Sequence, residues 1–500
     1  MRSRSQSRVL QHRIWLMTSI LKSWPIQWMM PTATSLLAAL MLTGCSNLRS
    51  DYASPAATIP TQWGAASTVD VAPQIQRATL QDAWWTRFHD AELDRLIVLA
   101  LKNNADLVTA AWNIQLARLS TGLADDKATP SLGASTSTNV SHNLDAGNTN
   151  RSHTVGLSLS YEVDLWGKIA SQRDAAQWRL QASRYDLQAT ATTLVANVAT
   201  LYWQLAYQNE QITSSEQSLD YVRLTQQLVQ AQYDAGDVSA LEIHEARLSV
   251  ASQESALAQL RQERITTLNA LAVLLNQPPS GDAIAELLPQ EPKAMPLTHV
   301  PDIPAGLPAQ VLQRRPDLQA AEARLRAMLA DSDAIQASYY PSMSLTGGLN
   351  SASASLGKLF ANPIGSLAAN LTLPFLNQTE MRLNSAISRT AYESAVVSFQ
   401  QTLYTALQEV EDALGTRQQL QTQGQWLQEL LDAARKVEQL NEVRYQAGST
   451  ALQSWIDAQE SRRSAELAVS GNRLSQLTNQ LTLYKALGGD AMFEAPAIVR

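Results

Sequence analysis

Cysteine is nearly absent from this 500-residue chain: Cys45 is the only one. That excludes a disulfide framework and a thiolate metal centre. The six histidines (12, 89, 142, 153, 244 and 299) are scattered, with no pair at metal-ligand spacing, so no metal site is expected. Basic residues are not in excess, 38 against 45 acidic, for a net charge of −7. A nucleic-acid partner needs clustered positive charge and is excluded on that ground. No nucleophile–base constellation is present, so neither an enzyme nor a cofactor is expected. The apolar run Leu36 to Leu42 is far too short for the ~20 residues of a bilayer-spanning helix.

What is present begins at the N-terminus. Arg2, Arg4, Arg8, Arg13 and Lys22 precede that apolar run, and Thr43-Gly44-Cys45 follows it. A basic region, a short apolar core and small residues predict a secretory signal over residues 1–44, with initiation at Met17 an alternative start. Without that segment the balance is 33 basic against 45 acidic, or −12. Leu42-Thr43-Gly44-Cys45 resembles the lipobox of bacterial lipoproteins, which implies that Cys45 is acylated. The alternative is an ordinary signal with a chance cysteine. Residues 45–80 are polar and proline-dotted and read as a lipidated N-terminal tether.

Glycine and proline are missing from the whole of Lys168 to Ala235. An uninterrupted helix of that length would reach about 100 Å. Its apolar positions, Leu187, Ala191, Leu194, Val198, Leu201 and Leu205, step by fours and threes, as in a coiled-coil seam. Helical patterning also runs from Ala91 to Thr129, and a break-free stretch covers Asp237 to Asn276. Between the first two lies a hairpin, residues 131–166. Val155, Leu157, Leu159, Tyr161, Val163 and Leu165 alternate there with Ser, Gly, Glu and Asp. This period of two predicts strands with one apolar face, long enough for the ~9–11 tilted residues of a membrane barrel strand. A solvent-facing sandwich strand is the alternative.

A connector with eight prolines, residues 277–308, precedes a second copy of the pattern. Asp106-Leu107 and Pro130 recur as Asp317-Leu318 and Pro341, all displaced by the same number of positions. Tyr233-Asp234-Ala235-Gly236 recurs in part as Tyr445-Gln446-Ala447-Gly448, displaced by one position more. The chain therefore contains an internal duplication, repeat one at 81–276 and repeat two at 309–488, with a tail at 489–500. Repeat two holds a hairpin at 342–376, a long helix at 378–447 and a last helix at 449–487. In each repeat two shorter helices end to end match one long helix, so both hairpins are expected at one end and Gly236 and Gly448 at the other. A four-stranded sheet cannot leave its edges open in lipid. Closure must come from other copies, since small barrels need about 8 strands; dimer and trimer both satisfy that condition.

Trp84-Trp85-x-x-Phe88, Arg314-Arg315-Pro316-Asp317-Leu318, Tyr340-Pro341, the Tyr-x-x-Gly turns and Leu483-Tyr484-Lys485-Ala486-Leu487-Gly488-Gly489 carry a family resemblance. Together they resemble the TolC-like outer-membrane factors of tripartite efflux pumps, in the NodT-type lipoprotein branch. The resemblance implies a mainly α chain with a membrane β-barrel portion. Three protomers would share one twelve-stranded barrel above a long antiparallel α-helical coiled-coil tunnel in the periplasm. It implies a passive exit duct in the outer membrane, docked to a periplasmic adaptor and an inner-membrane RND-type pump, with lipid on Cys45. The competing expectation is a structural coiled-coil envelope lipoprotein with no channel.

The resemblance also implies a gate just past each interhelical turn: Glu242 and Glu245 after Gly236, Ser454 and Asp457 after Gly448, and Tyr445 linked to Glu242. Ser454 and Thr450 depart from the family pattern, which leaves Asp457 as the main inner carboxylate. The alternative for these acids is an ordinary solvated helix start. Trp166, Tyr339, Tyr340 and Phe375 fall at strand–helix junctions, as an interfacial aromatic girdle or ordinary packing would place them.

Overall fold

The computed structural model describes residues 48–64, 83–281, 286–296, 308 and 314–489. Cys45 and the signal segment lie outside the described residues. Within them the chain is mostly helical, with one four-stranded antiparallel sheet.

A 3-10 turn, Trp84–Phe88, precedes helix α1 (Ala91–Asn103) and helix α2 (Ala105–Asp126). The continuous helix expected from Ala91 to Thr129 is broken at Asn104. Its backbone is extended, and its side-chain oxygen accepts from Asp106 N and Leu107 N at 2.9 and 3.2 Å. An asparagine that caps the next helix cannot also continue the previous one. Strands β1 (Ser131–His142) and β2 (Thr149–Val163) follow, then helix α3 (Lys168–Ala235) and helix α4 (Ala240–Leu274). Repeat two supplies α5 (Pro316–Ser338), β3 (Ser342–Ser353), β4 (Pro363–Thr372), α6 (Gln378–Gln446) and α7 (Leu452–Ala486).

Two compact units form. One holds Pro130–Lys168 and Asp333–Met381, which contain the sheet, in strand order β1-β2-β3-β4. Its register sets Leu132 opposite Leu159, Leu157 opposite Leu349, and Met343 opposite Leu371, all on one face. The other face is lined with hydroxyls, and Ser137 and Thr154 hydrogen-bond across it at 2.6 Å. The apolar face is bare: Leu132 is 77% exposed and Leu367 88%. Trp166 closes the end of this unit. Its Nε1 donates to the Pro341 carbonyl at 2.9 Å, and its ring lies 5.1 Å from that of Tyr340.

The second unit holds the helices. Its core is centred on the middle of α3, where Ala191, Leu194, Val198, Tyr202 and Leu205 meet Leu403, Ala406 and Val410 of α6. Trp84 stacks on Tyr484 at 4.5 Å, and Phe88 meets Trp203 edge-on at 4.8 Å. Trp84 and Tyr484, which carry part of the family resemblance, are thus core packing. So is Arg315, which is buried, pairs with Asp317 and Glu409, and donates to the Ala486 carbonyl. Asn104 donates to the Leu274 carbonyl in the same way, so the duplication holds at the level of individual contacts. Part of the tether also belongs to this unit. Tyr52 lies under the Arg326 guanidinium, which also covers Trp178, and Trp63 is buried. Burial and the neighbouring Glu322 push the Tyr52 phenol up to about 12.

Among the described residues, no helix is long and apolar enough to cross a membrane.

Candidate gate at the two interhelical turns

The two long helices end in the same way. After α3, Gly236 adopts φ +84°, its N–H donates to the Tyr233 carbonyl, and Asp237 N–H donates to the Gln232 carbonyl. After α6, Gly448 adopts φ +70°, with Gly448 N–H on Tyr445 and Ser449 N–H on Arg444. Each is a Schellman closure, in which a residue with positive φ turns two orphan carbonyls toward N–H donors. A Cβ at either glycine would meet nothing within 4 Å, so backbone conformation alone demands glycine there.

The helices that follow start differently. Ser239 caps α4 by accepting from Leu241 N, while Glu242 returns its carboxylate to Ser239 N at 2.9 Å and Ser239 Oγ at 2.5 Å. This is a capping box. The Ser239 hydroxyl holds the Glu242 carboxyl below its ordinary range. In repeat two the equivalent positions are Ala451 and Ser454, and Ala451 provides no side-chain cap. The pattern Ser-x-x-Glu is a legible helix start in the sequence, and it points to Ser239, a residue that the gate expectation omits.

Tyr445 lies with its ring 5.5 Å from that of Trp455, stacked at 23°. Glu242 is engaged with Ser239, and no hydrogen bond joins it to Tyr445 in the single chain. Asp457 and Ser454 are exposed, and Asp457 accepts from Gln453 Nε2 at 2.7 Å. Glu245, the counterpart of Asp457 in repeat one, is also exposed. The stems behind the turns are laced alike. Arg223 pairs with Glu254 at 2.8 Å, and at the equivalent positions of repeat two Arg435 pairs with Glu466 at 3.5 Å. Such exposed pairs are worth about 0–1 kcal/mol each. Ser218 Oγ of α3 donates to Glu460 of α7 at 2.8 Å, and Arg463 covers the Tyr221 ring, tying the repeats together near their turns.

A family profile described as outer membrane efflux protein matches residues 96–277 and again 307–489. The chain belongs to the outer membrane efflux protein family. The two matches are its two internal repeats. It is 32% identical over 463 residues to the toluene efflux pump outer membrane protein TtgC of Pseudomonas putida, covering 91% of this chain and 94% of the relative. It is 33% identical over 470 residues to outer membrane protein OprJ of Pseudomonas aeruginosa, covering 91% and 95%. Among solved structures, one of CusC aligns with TM-score 0.76 at 28% identity, over 89% of this chain and 100% of that one. The open state of the Neisseria gonorrhoeae MtrE outer membrane channel aligns with TM-score 0.75 at 27% identity, over 89% and 98%. This family member is an outer-membrane channel component of a tripartite efflux system. Its family is one of ducts that act as trimers with adaptor and pump partners, and not one of enzymes.

Proposed function

We propose that three copies of this chain join their four-stranded sheets into one twelve-stranded barrel in the outer membrane and form a passive exit duct. The observation that carries this reading is the sheet. Its apolar face is exposed, its other face is hydroxyl-rich, and among the described residues β1 and β4 each pair with one strand and no other. Lipid would cover the first face, water the second, and neighbouring copies the two edges. A coiled-coil spacer has no use for such a sheet. Acylated Cys45 adds a lipid anchor, and a periplasmic adaptor with an RND-type pump completes the route. The chain catalyses no reaction of its own.

The gate is assigned to the residues just past Gly236 and Gly448. Three copies bring three Asp457 carboxylates around one axis, backed by Glu245, with Glu242, Ser454 and Tyr445 shaping the constriction. Like charges so arranged repel unless protons or cations neutralise them. Single-channel recording of the purified oligomer in a planar bilayer tests both parts. Asp457→Ala is expected to raise conductance and weaken block by divalent cations. Unchanged conductance and block remove Asp457 from the gate, whereas absence of any conductance from the wild-type oligomer overturns the duct itself.

A further inference from the structure

The two ends of the sheet treat charge differently. Where the strands join the helices, Glu162 of β2 is held by Lys168 at 2.6 Å. Glu162 lies on the hydroxyl-rich face, opposite Ser344. At the far end the cations are Arg151 of β2 and Lys358, which ends a 3-10 turn (Leu356–Lys358) between β3 and β4. Both are exposed, and among the described residues neither side chain has an ionic or hydrogen-bond partner. The register carries Arg151 onto the apolar face. It lies opposite Val140, and the rows on either side pair His142 with Thr149 and Thr138 with His153. Each imidazole is engaged through Nδ1 by the threonine beside it, at 2.9 Å.

The rows of that face begin apolar. Met343 lies opposite Val163 and Leu371, Tyr161 opposite Leu345, and Leu159 opposite Leu132. From Val163 to Val155 is about 27 Å of strand, or about 20 Å of height at the ~40° tilt of a membrane barrel. His153 then stands at a height of about 26 Å and Arg151 at about 31 Å. A barrel's apolar band is about 25 Å tall, with the headgroup layer beyond it. The imidazole row therefore meets the edge of the band, and the guanidinium enters the headgroup layer. No acid occupies any paired row of this face. Asp145, the acid nearest to it in sequence, lies in the β1–β2 turn. The β3–β4 loop repeats the pattern: Lys358 falls between Leu356 and Phe360, which are 67 and 78% exposed. Apolar side chains beside a cation suit the boundary between acyl chains and headgroups.

We infer that this rim binds phosphorylated lipid headgroups of the outer leaflet, with Arg151 and Lys358 as the phosphate contacts and His142 and His153 as hydrogen-bonding flanks. Charge complementarity and continuity with the lipid-covered face select that occupant. A cation without a protein partner, set just above an apolar band, finds its counter-charge in the layer at that height, and the anions there are lipid phosphates. A soluble anion makes no use of the apolar rows, and an acidic protein reaches them only by displacing lipid. The chain as a whole carries −7, so the rim reverses the sign that would otherwise repel phosphate. The inference rests on the membrane-barrel reading of the sheet given above and adds the lipid class and its contact residues.

The test is lipid binding to the full-length oligomer in detergent, counted by native mass spectrometry. Bisphosphorylated lipid A is the probe, and zwitterionic phosphatidylcholine is the comparison. Wild type is expected to retain lipid A in preference to phosphatidylcholine. Arg151→Gln with Lys358→Gln should weaken lipid A binding about thirtyfold, and each single variant about fivefold, as expected for cations at a membrane surface. Binding of phosphatidylcholine should not change. Arg389→Gln, which removes an exposed cation from the helical unit, should leave lipid A binding intact. Conductance in a planar bilayer reports whether each variant still forms the duct. Equal lipid A binding by wild type and the double variant, in an oligomer that conducts, overturns the rim and leaves the duct reading in place. Wild-type binding of phosphatidylcholine as tight as that of lipid A also overturns it. So does displacement of lipid A by millimolar inorganic phosphate, which would assign the cations to a free anion. A wild-type chain that neither inserts nor conducts defeats both readings.

Discussion

The two interhelical turns share a backbone and differ in how the next helix begins. Turn one closes with Gly236 and opens α4 with a reciprocal Ser239–Glu242 box. Turn two closes with Gly448 in the same conformation but opens α7 at Ala451 with no side-chain cap. Its added feature is the ring stack of Tyr445 on Trp455, where repeat one has Tyr233 and Ile243. Duplication has preserved what the backbone requires, a residue that tolerates positive φ, and has let the side-chain chemistry diverge. Glu242 is therefore held in place by its own helix start, while Asp457, three residues beyond Ser454, stands on a helix whose first turn lacks that restraint.

The largest effect should come from breaking the shared part. Gly236→Val and Gly448→Val each force a β-branched residue into the left-handed region, at a cost of about 1–2 kcal/mol. Amide exchange at the affected turn, followed by mass spectrometry on the assembled protein, should rise about five- to thirtyfold. Equal effects are expected at the two turns, because neither glycine is hemmed in by neighbours; a large asymmetry would contradict the equivalence of the closures. A smaller effect should come from the part that differs. Ser239→Ala removes a cap worth about 1 kcal/mol and should raise exchange at the start of α4 to the level seen at α7. The reciprocal change, Ala451→Ser with Ser454→Glu, should protect α7 by a similar factor. If neither variant moves exchange, the capping difference has no energetic content.

The smallest effect is a pH dependence confined to turn one. The Ser239 hydroxyl lowers the Glu242 pKa in the folded state, so the unfolded turn binds the proton more tightly. Its contribution is present above the ordinary glutamate pKa of about 4.3 and is lost as pH falls through the lower folded value. Exchange at the start of α4, corrected for its intrinsic pH dependence, should rise on acidification in that window. The start of α7 should show no such rise, and Glu242→Gln should abolish it at α4.

Much of the fold is legible in residue patterns. The stretch from Lys168 to Ala235 lacks glycine and proline, and it is one helix. The alternation around Leu157 and Leu159 predicts a strand with one apolar face, and the sheet has that face. Less legible is the break at Asn104, because a capping asparagine inside an apolar pattern looks like one polar residue among several. The tether is legible only in part. Tyr52 and Trp63 carry no periodicity, yet they pack on the helical unit through Arg326 and the core. At the candidate gate, the sequence places Asp457, Glu245 and Tyr445 at set distances from the glycines. It does not say that Tyr445 spends its ring on Trp455, since residues on either side of a turn meet only once the helices are paired.

Taken alone, the sequence determined the elements, the duplication and the family, because helix length, strand alternation and repeat spacing are local or linear properties that need no neighbour. Tertiary structure decided which copies of a repeated position are covered. Ala327 and Leu116 occupy the same place in the repeat, but one is buried and the other is exposed. Burial depends on what lies across the gap, and that is set by how the helices pack.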